Sequence, residues 1–139
     1  MVRLGPPRLN PWIARLGAAS IALAGWSASA PAALAQNGGM PTQVGQCVLT
    51  SILAIGSRLE GDPTSGSSVI YANGAGQVAY EVKPQVADWR QGDPVKLCLR
   101  KLPENCPPGD TRGSIYLAVD LRTGTAWTAP DASHSCGGA

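Results

Sequence analysis

The stretch SSVIYANGAGQVAYEV, residues 67–82, constrains the chain more than any other. Two arms rich in Val, Ile and Tyr flank Asn73-Gly74, a pair that readily supplies the positive φ angles of a tight turn, so the stretch is predicted to be a β-hairpin. Similar patterns recur on both sides of it. In CVLTSILAIGSRL (47–59) aliphatic and β-branched residues run without a helical start or stop until Gly56, which predicts a well-buried strand, with a short helix as the competing assignment. VKLCLRKL (95–102) sets Val95, Leu97 and Leu99 on one face against Lys96, Cys98 and Arg100 on the other. The same period of two in SIYLAVDL (114–121) predicts Ile115, Leu117, Val119 and Leu121 inward. RTG then turns the chain, with Gly124 in the left-handed region, into TAWTAP (125–130) as a second hairpin. Between these lie loops: EGDPTSGSS, PENCPPGDTRG, and the connector KPQVADWRQGDP, which has room for one helical turn around Val86 to Trp89. About six short strands at this spacing predict an all-β fold, a small antiparallel β-barrel or sandwich.

The N-terminal segment has a different logic. Arg3, Arg8 and Arg15, with no acidic residue, precede an apolar centre and end at Ala33-Leu34-Ala35. This is the pattern of a secretory signal peptide, residues 1–35, cut between Ala35 and Gln36. Gly25, Ser27, Ser29 and Pro31 interrupt the apolar run before the roughly 20 residues a bilayer span requires, so no transmembrane segment is expected after cleavage. Residues 36–46, QNGGMPTQVGQ, read as a flexible leader and 47–139 as a single β-domain, periplasmic or secreted. Of the eleven basic residues the mature part keeps eight, against all nine acidic ones, a formal charge of −1. That is not the basic footprint demanded by phosphate neutralisation, and nucleic acid is not an expected partner.

All four cysteines, Cys47, Cys98, Cys106 and Cys136, fall in the mature part, and an even number in a short exported chain reads as a disulfide framework. The pairing Cys98–Cys106 with Cys47–Cys136 is preferred, because the intervening LRKLPEN contains a turn able to fold the first two sulfurs together. Cys47–Cys98 with Cys106–Cys136 is the alternative.

The residues able to carry chemistry are few. His134, the only histidine, stands two residues before Cys136, but there is no C-x2-C pair and disulfides would consume the thiolates, so no metal and no cofactor is expected. Asp131, Ser133, His134 and Ser135 crowd PDASHS, which admits a small hydrolase using His134 and Asp131. A triad usually converges from separate elements, however, and turn hydrogen bonding explains these residues as well. The acids Asp62, Asp93, Asp110 and Asp131 sit next to Gly, Pro or Ala in turns rather than as a catalytic pair. A binding surface asks for less: Arg112 and Arg122 with Tyr116 and Trp127 would form a contact patch if the last two strands presented them on one outer face. In a chain without Phe, Trp89 and Trp127 also serve as candidates for core bulk.

The blocks IGSRLEGDPTSGSSVIYANG, GDPVKLCL, LPENCPPGDTRGSIY, LRTGTAW and PDASHSCGGA resemble small exported alphaproteobacterial proteins of uncharacterised function. That resemblance covers nearly the whole mature part and implies export and a shared fold. TSGSSVIY (64–71) is also similar to the Ser-Gly-x-Arg-Tyr loop of periplasmic lysozyme inhibitors, with Ser68 where their basic residue stands, which implies a role for Ser65, Gly66 and Ser67 at a contact with an enzyme. The sequence thus leads to the expectation of a non-enzymatic binding domain of the bacterial envelope, its partner an envelope protein or a small ligand. An inhibitor of a lysozyme-like hydrolase and a small hydrolase are the alternatives.

Overall fold

The computed structural model describes residues 38–138. The expected signal peptide and its cleavage point lie outside the described residues. The fold is all-β: strands β1 (Cys47–Gly56), β2 (Ser67–Tyr71), β3 (Gly76–Ala79), β4 (Pro94–Lys101), β5 (Ile115–Asp120) and β6 (Ala126–Pro130) form one antiparallel sheet in the order β3-β2-β1-β4-β5-β6. The sheet curls into a half-barrel, bringing β3 close to β6 without a ladder between them.

What bends it is β1. Its first half pairs with β4, from Cys47↔Cys98 to Ser51↔Pro94. Its second half pairs with β2, from Ile52↔Tyr71 to Gly56↔Ser68, with a bulge between Ile52 and Ala54. A bulge kinks and twists the strand that carries it, and here it turns the β2–β3 hairpin over the β4–β6 sheet. Gln77 then seals the seam. From β3 its Nε2 donates to the Tyr116 carbonyl at 2.6 Å, with longer contacts to the carbonyls of Trp127 and Ala129, and its Oε1 accepts from the Tyr71 hydroxyl at 2.6 Å. The core inside this curl contains Ile52, Val69, Tyr71, Val95, Leu97, Leu99, Tyr116 and Trp127.

The predicted hairpin is present over residues 67–79, its second arm ending at Ala79 rather than running to Val82, and it differs from expectation at its tip. Only Gly74 takes a positive φ, 89°; its N–H donates to the Tyr71 carbonyl, so the connection is a Tyr71–Gly74 turn closed by a left-handed glycine. Gly124 turns the second hairpin with φ 74° as expected. The helical turn of the connector is a single 3₁₀ turn, Pro84–Val86, begun by a proline and followed by a Trp89 N–H to Val86 carbonyl bond. Residues 38–46, read as a flexible leader, are tied to the sheet: Gly45 N–H donates to the Leu99 carbonyl, Leu99 N–H to Gln46, and Gly38 N–H to Leu49.

Three expectations are corrected. The period of two in β5 holds but its face is reversed, with Tyr116, Ala118 and Asp120 buried. Residues opposite one another on neighbouring strands share a face; Ala118 lies between Leu97 and Trp127, and Tyr116 between Leu99 and Ala129, all of which point inward. β1 is not buried throughout, since Leu49, Leu53 and Ile55 are 37%, 53% and 36% exposed. The disulfides are Cys47–Cys98 and Cys106–Cys136. Leu99 to Lys101 of LRKLPEN continue β4 instead of folding back, which carries Cys106 away from Cys98, while cross-strand pairing sets Cys47 against Cys98 with Cα atoms 4.0 Å apart.

Candidate functional site

Beyond its bulge, β1 keeps only one neighbour among the described residues. The β4 side of the strand is paired through Ile52, whose N–H donates to the Asp93 carbonyl and whose carbonyl accepts from Gly92 N–H. From Leu53 to Gly56, among the described residues, main-chain pairing comes from β2 alone. The chain therefore presents an open strand edge where its aliphatic run is most exposed.

Facing this edge is the connector that follows β3. Its fastening is dense for a loop. Lys83 N–H donates to Ser67 Oγ at 2.9 Å, and Trp89 Nε1 donates to Thr125 Oγ1 at 2.6 Å, which in turn donates to the Gln85 carbonyl. Arg122 grips the far end: Nε and Nη2 donate to the two Asp93 carboxylate oxygens at 2.8 Å each, and Nη2 also reaches the Asp88 carbonyl. This fork is a bidentate, charge-assisted contact, and it holds the Asp93 carboxyl down to about 2 against the upward push of burial. Val86 and Trp89 are 5% exposed, so the connector is anchored in the core as well as at its ends.

Between the end of β1 and this strap lies a cleft of about 340 Å³, walled by Ile55, Val82, Pro84, Val86 and Trp89. A second cleft of about 580 Å³ is bordered by Ala54, Arg58, Glu60 and Ile70. On β2, Ser67 and Val69 are buried while Ile70 is exposed, so the first cleft lies on the inner face of the strand end and the second on its outer face. Ile55, Gly56 and Ser57 border both. Two glycines here differ in kind. Gly66 has φ 124° and a Cβ there would meet the Ala79 carbonyl oxygen at 2.0 Å, so the fold requires it. Gly56 has no positive φ and a Cβ would meet nothing within 4 Å, so the fold does not.

The residues singled out from sequence fall elsewhere or serve other contacts. Tyr116 and Trp127 are 3% exposed and point into the core, which corrects the idea of an outer patch; Arg112 precedes β5 and Arg122 follows it. Arg112 forks onto Asp110 at 2.9 and 2.7 Å, an exposed pair near the tail, and holds that carboxyl well below the usual range. Ser65 Oγ accepts from Leu59 N–H and donates to the Asp62 carbonyl, and Ser67 Oγ fastens the strap at Lys83, so both serines are buried in loop bonding beside the inner cleft. Asp131 Oδ1 accepts from Gly113 N–H at 2.7 Å, turning the carboxylate to the β5 loop, while His134 is exposed. All four thiols are in disulfides. Among the described residues no helix is long and apolar enough to cross a membrane.

Of the predicted binding residues, Arg122 and Ser67 bond to the strap. The clefts themselves were not foreseen from the sequence, although Pro84, Val86 and Trp89 in the connector, with Val82 just before it, were a signal for a loop that covers apolar surface. No family model, no curated protein and no solved structure matches the chain.

Proposed function

We propose that the chain is an exported, non-enzymatic domain of the bacterial envelope that works by binding, with the inner cleft between β1 and the strap as its contact surface. The observation that supports this reading is the cleft's construction: apolar walls, one an open strand end and the other a loop fastened into the core, at a volume within the roughly 300–1,000 Å³ usual for ligand sites. Fixed walls spare the ordering cost that a mobile loop would incur on binding. The two disulfides fit an oxidising compartment, and the N-terminal pattern makes the periplasm the reading we adopt. Ser65 and Ser67 enter it as supports of the cleft rather than as a protruding inhibitory finger.

The test compares the wild-type domain with Val82→Asp, a change at a cleft residue that is 60% exposed and therefore leaves the core intact. Both are expressed with the native N-terminus, recovered from the periplasm and cross-linked there. Intact mass should show the chain starting at Gln36 with two disulfides. A partner cross-linked to wild type should be lost from Val82→Asp and kept by His134→Ala; a partner retained equally by Val82→Asp would remove the cleft from the account.

A further inference from the structure

We propose that the open edge of β1, Leu53–Gly56, takes up an extended peptide segment as an added strand whose alternate side chains enter the inner and outer clefts; this deepens the binding reading above and rests on it. Three observations carry it. The edge lacks a neighbour on the β4 side over four residues, among the described residues, and strand addition is the way such an edge is used in peptide recognition. The two clefts share Ile55, Gly56 and Ser57 and lie on opposite faces of that strand end, and side chains of an added strand alternate between the two faces. Gly56 is unexplained by conformation or packing, and a glycine within a strand often marks close approach of another backbone.

The occupant is a single extended chain rather than a second copy of this domain. Four edge residues span only about 13 Å, the length of one short extended segment. The slot is also walled by Ala87 and Trp89 of the strap, leaving the passage between β1 and the connector. The chemistry of each cleft sets the side chains: apolar for the inner one, walled by Ile55, Val82 and Trp89, and polar or mixed for the outer one, where Arg58 and Glu60 stand beside Ile70.

A phage-displayed library of linear heptapeptides, selected on the mature domain, supplies the probe. The enriched peptides are synthesised with N-methyl groups at odd or at even positions. Because an added strand bonds through one edge only, one parity should weaken binding at least tenfold and the other by less than threefold. Gly56→Val places a side chain in open space, keeps the melting temperature and should lower affinity at least tenfold, as should Val82→Asp. Equal enrichment on the Gly56→Val domain, or no enrichment at all, overturns the proposal. Peptides that bind with no preference of parity overturn strand addition and leave the binding role of the cleft standing. A concentration-dependent dimer in sedimentation, abolished by Gly56→Val, would assign the edge to a second copy and also overturn it.

Discussion

The two halves of β1 are built from the same kinds of residue and have opposite fates. Cys47–Ser51 is paired with β4 on one side, receives Gly38 N–H at the Leu49 carbonyl on the other, and is cross-linked to Cys98. Leu53–Gly56 is paired with β2 on one side, open on the other among the described residues, and exposes Leu53 and Ile55. Aliphatic content alone separates neither. The bulge between Ile52 and Ala54 separates them, because it moves the strand from one ladder to the other and leaves its end beyond the reach of β4. A strand's stability is thus a property of its neighbours, and within a few residues it passes from anchor to open edge.

The hardest test of this contrast is removal of the anchor. Replacing Cys47 and Cys98 by serine should cost about 3–5 kcal/mol in denaturant unfolding, the range for a loop of this length, whereas losing Cys106–Cys136 should cost about half a kcal/mol less because it closes a shorter loop. Equal stability without Cys47–Cys98 would deny the first half of β1 its anchoring role. Next in size is Ile52→Ala, a 2% exposed core residue at the boundary itself, expected to lose about 2–4 kcal/mol. A loss below about 1 kcal/mol there would mean that the core does not extend to the bulge.

The strap offers a pH-dependent test. Arg122 holds the Asp93 carboxyl at about 2, below the roughly 3.9 of an unfolded chain. A depressed carboxyl contributes stability in full above the unfolded value and loses it as pH falls through the folded one. Melting temperature should therefore drop between about pH 4 and pH 2 more steeply in wild type than in Arg122→Ala, which lacks the fork. Identical slopes would show that the fork does not hold the strap. The smallest effect belongs to the open half: Leu53→Ala, at a side chain 53% exposed, should change stability by less than about 0.5 kcal/mol. A loss as large as that of Ile52→Ala would show Leu53 to be packed, erasing the contrast.

The sequence made the hairpins and β4 legible because turn chemistry and alternation act over a few residues. Asn73-Gly74, Gly124 and the Val95, Leu97, Leu99 set needed no distant information. The face of β5 did. Ile115, Leu117 and Val119 are more apolar than Tyr116, Ala118 and Asp120, and only opposition to Leu97, Leu99 and Trp127 turns the less apolar set inward. The disulfide pairing failed for a related reason, since a turn in LRKLPEN was visible but the continuation of β4 through Lys101 was not. The clefts were the least legible: the inner one arises where the strap from β3 to β4 crosses the far end of β1, the outer one where Arg58, Glu60 and Gly61 stand beside β1 and β2, and no local pattern encodes either meeting.

The order of the two disulfides along the chain has a mechanical meaning. They close loops 47–98 and 106–136, which follow one another and share no residue. Tension applied between residues 38 and 138 therefore runs through 38–47, across the first cross-link, along 98–106, across the second, and out through 136–138. Only those short spans can lengthen before a covalent bond breaks. β2, β3, β5 and the strap lie off the load path, so a domain tethered at both ends can be pulled taut while its clefts keep their shape.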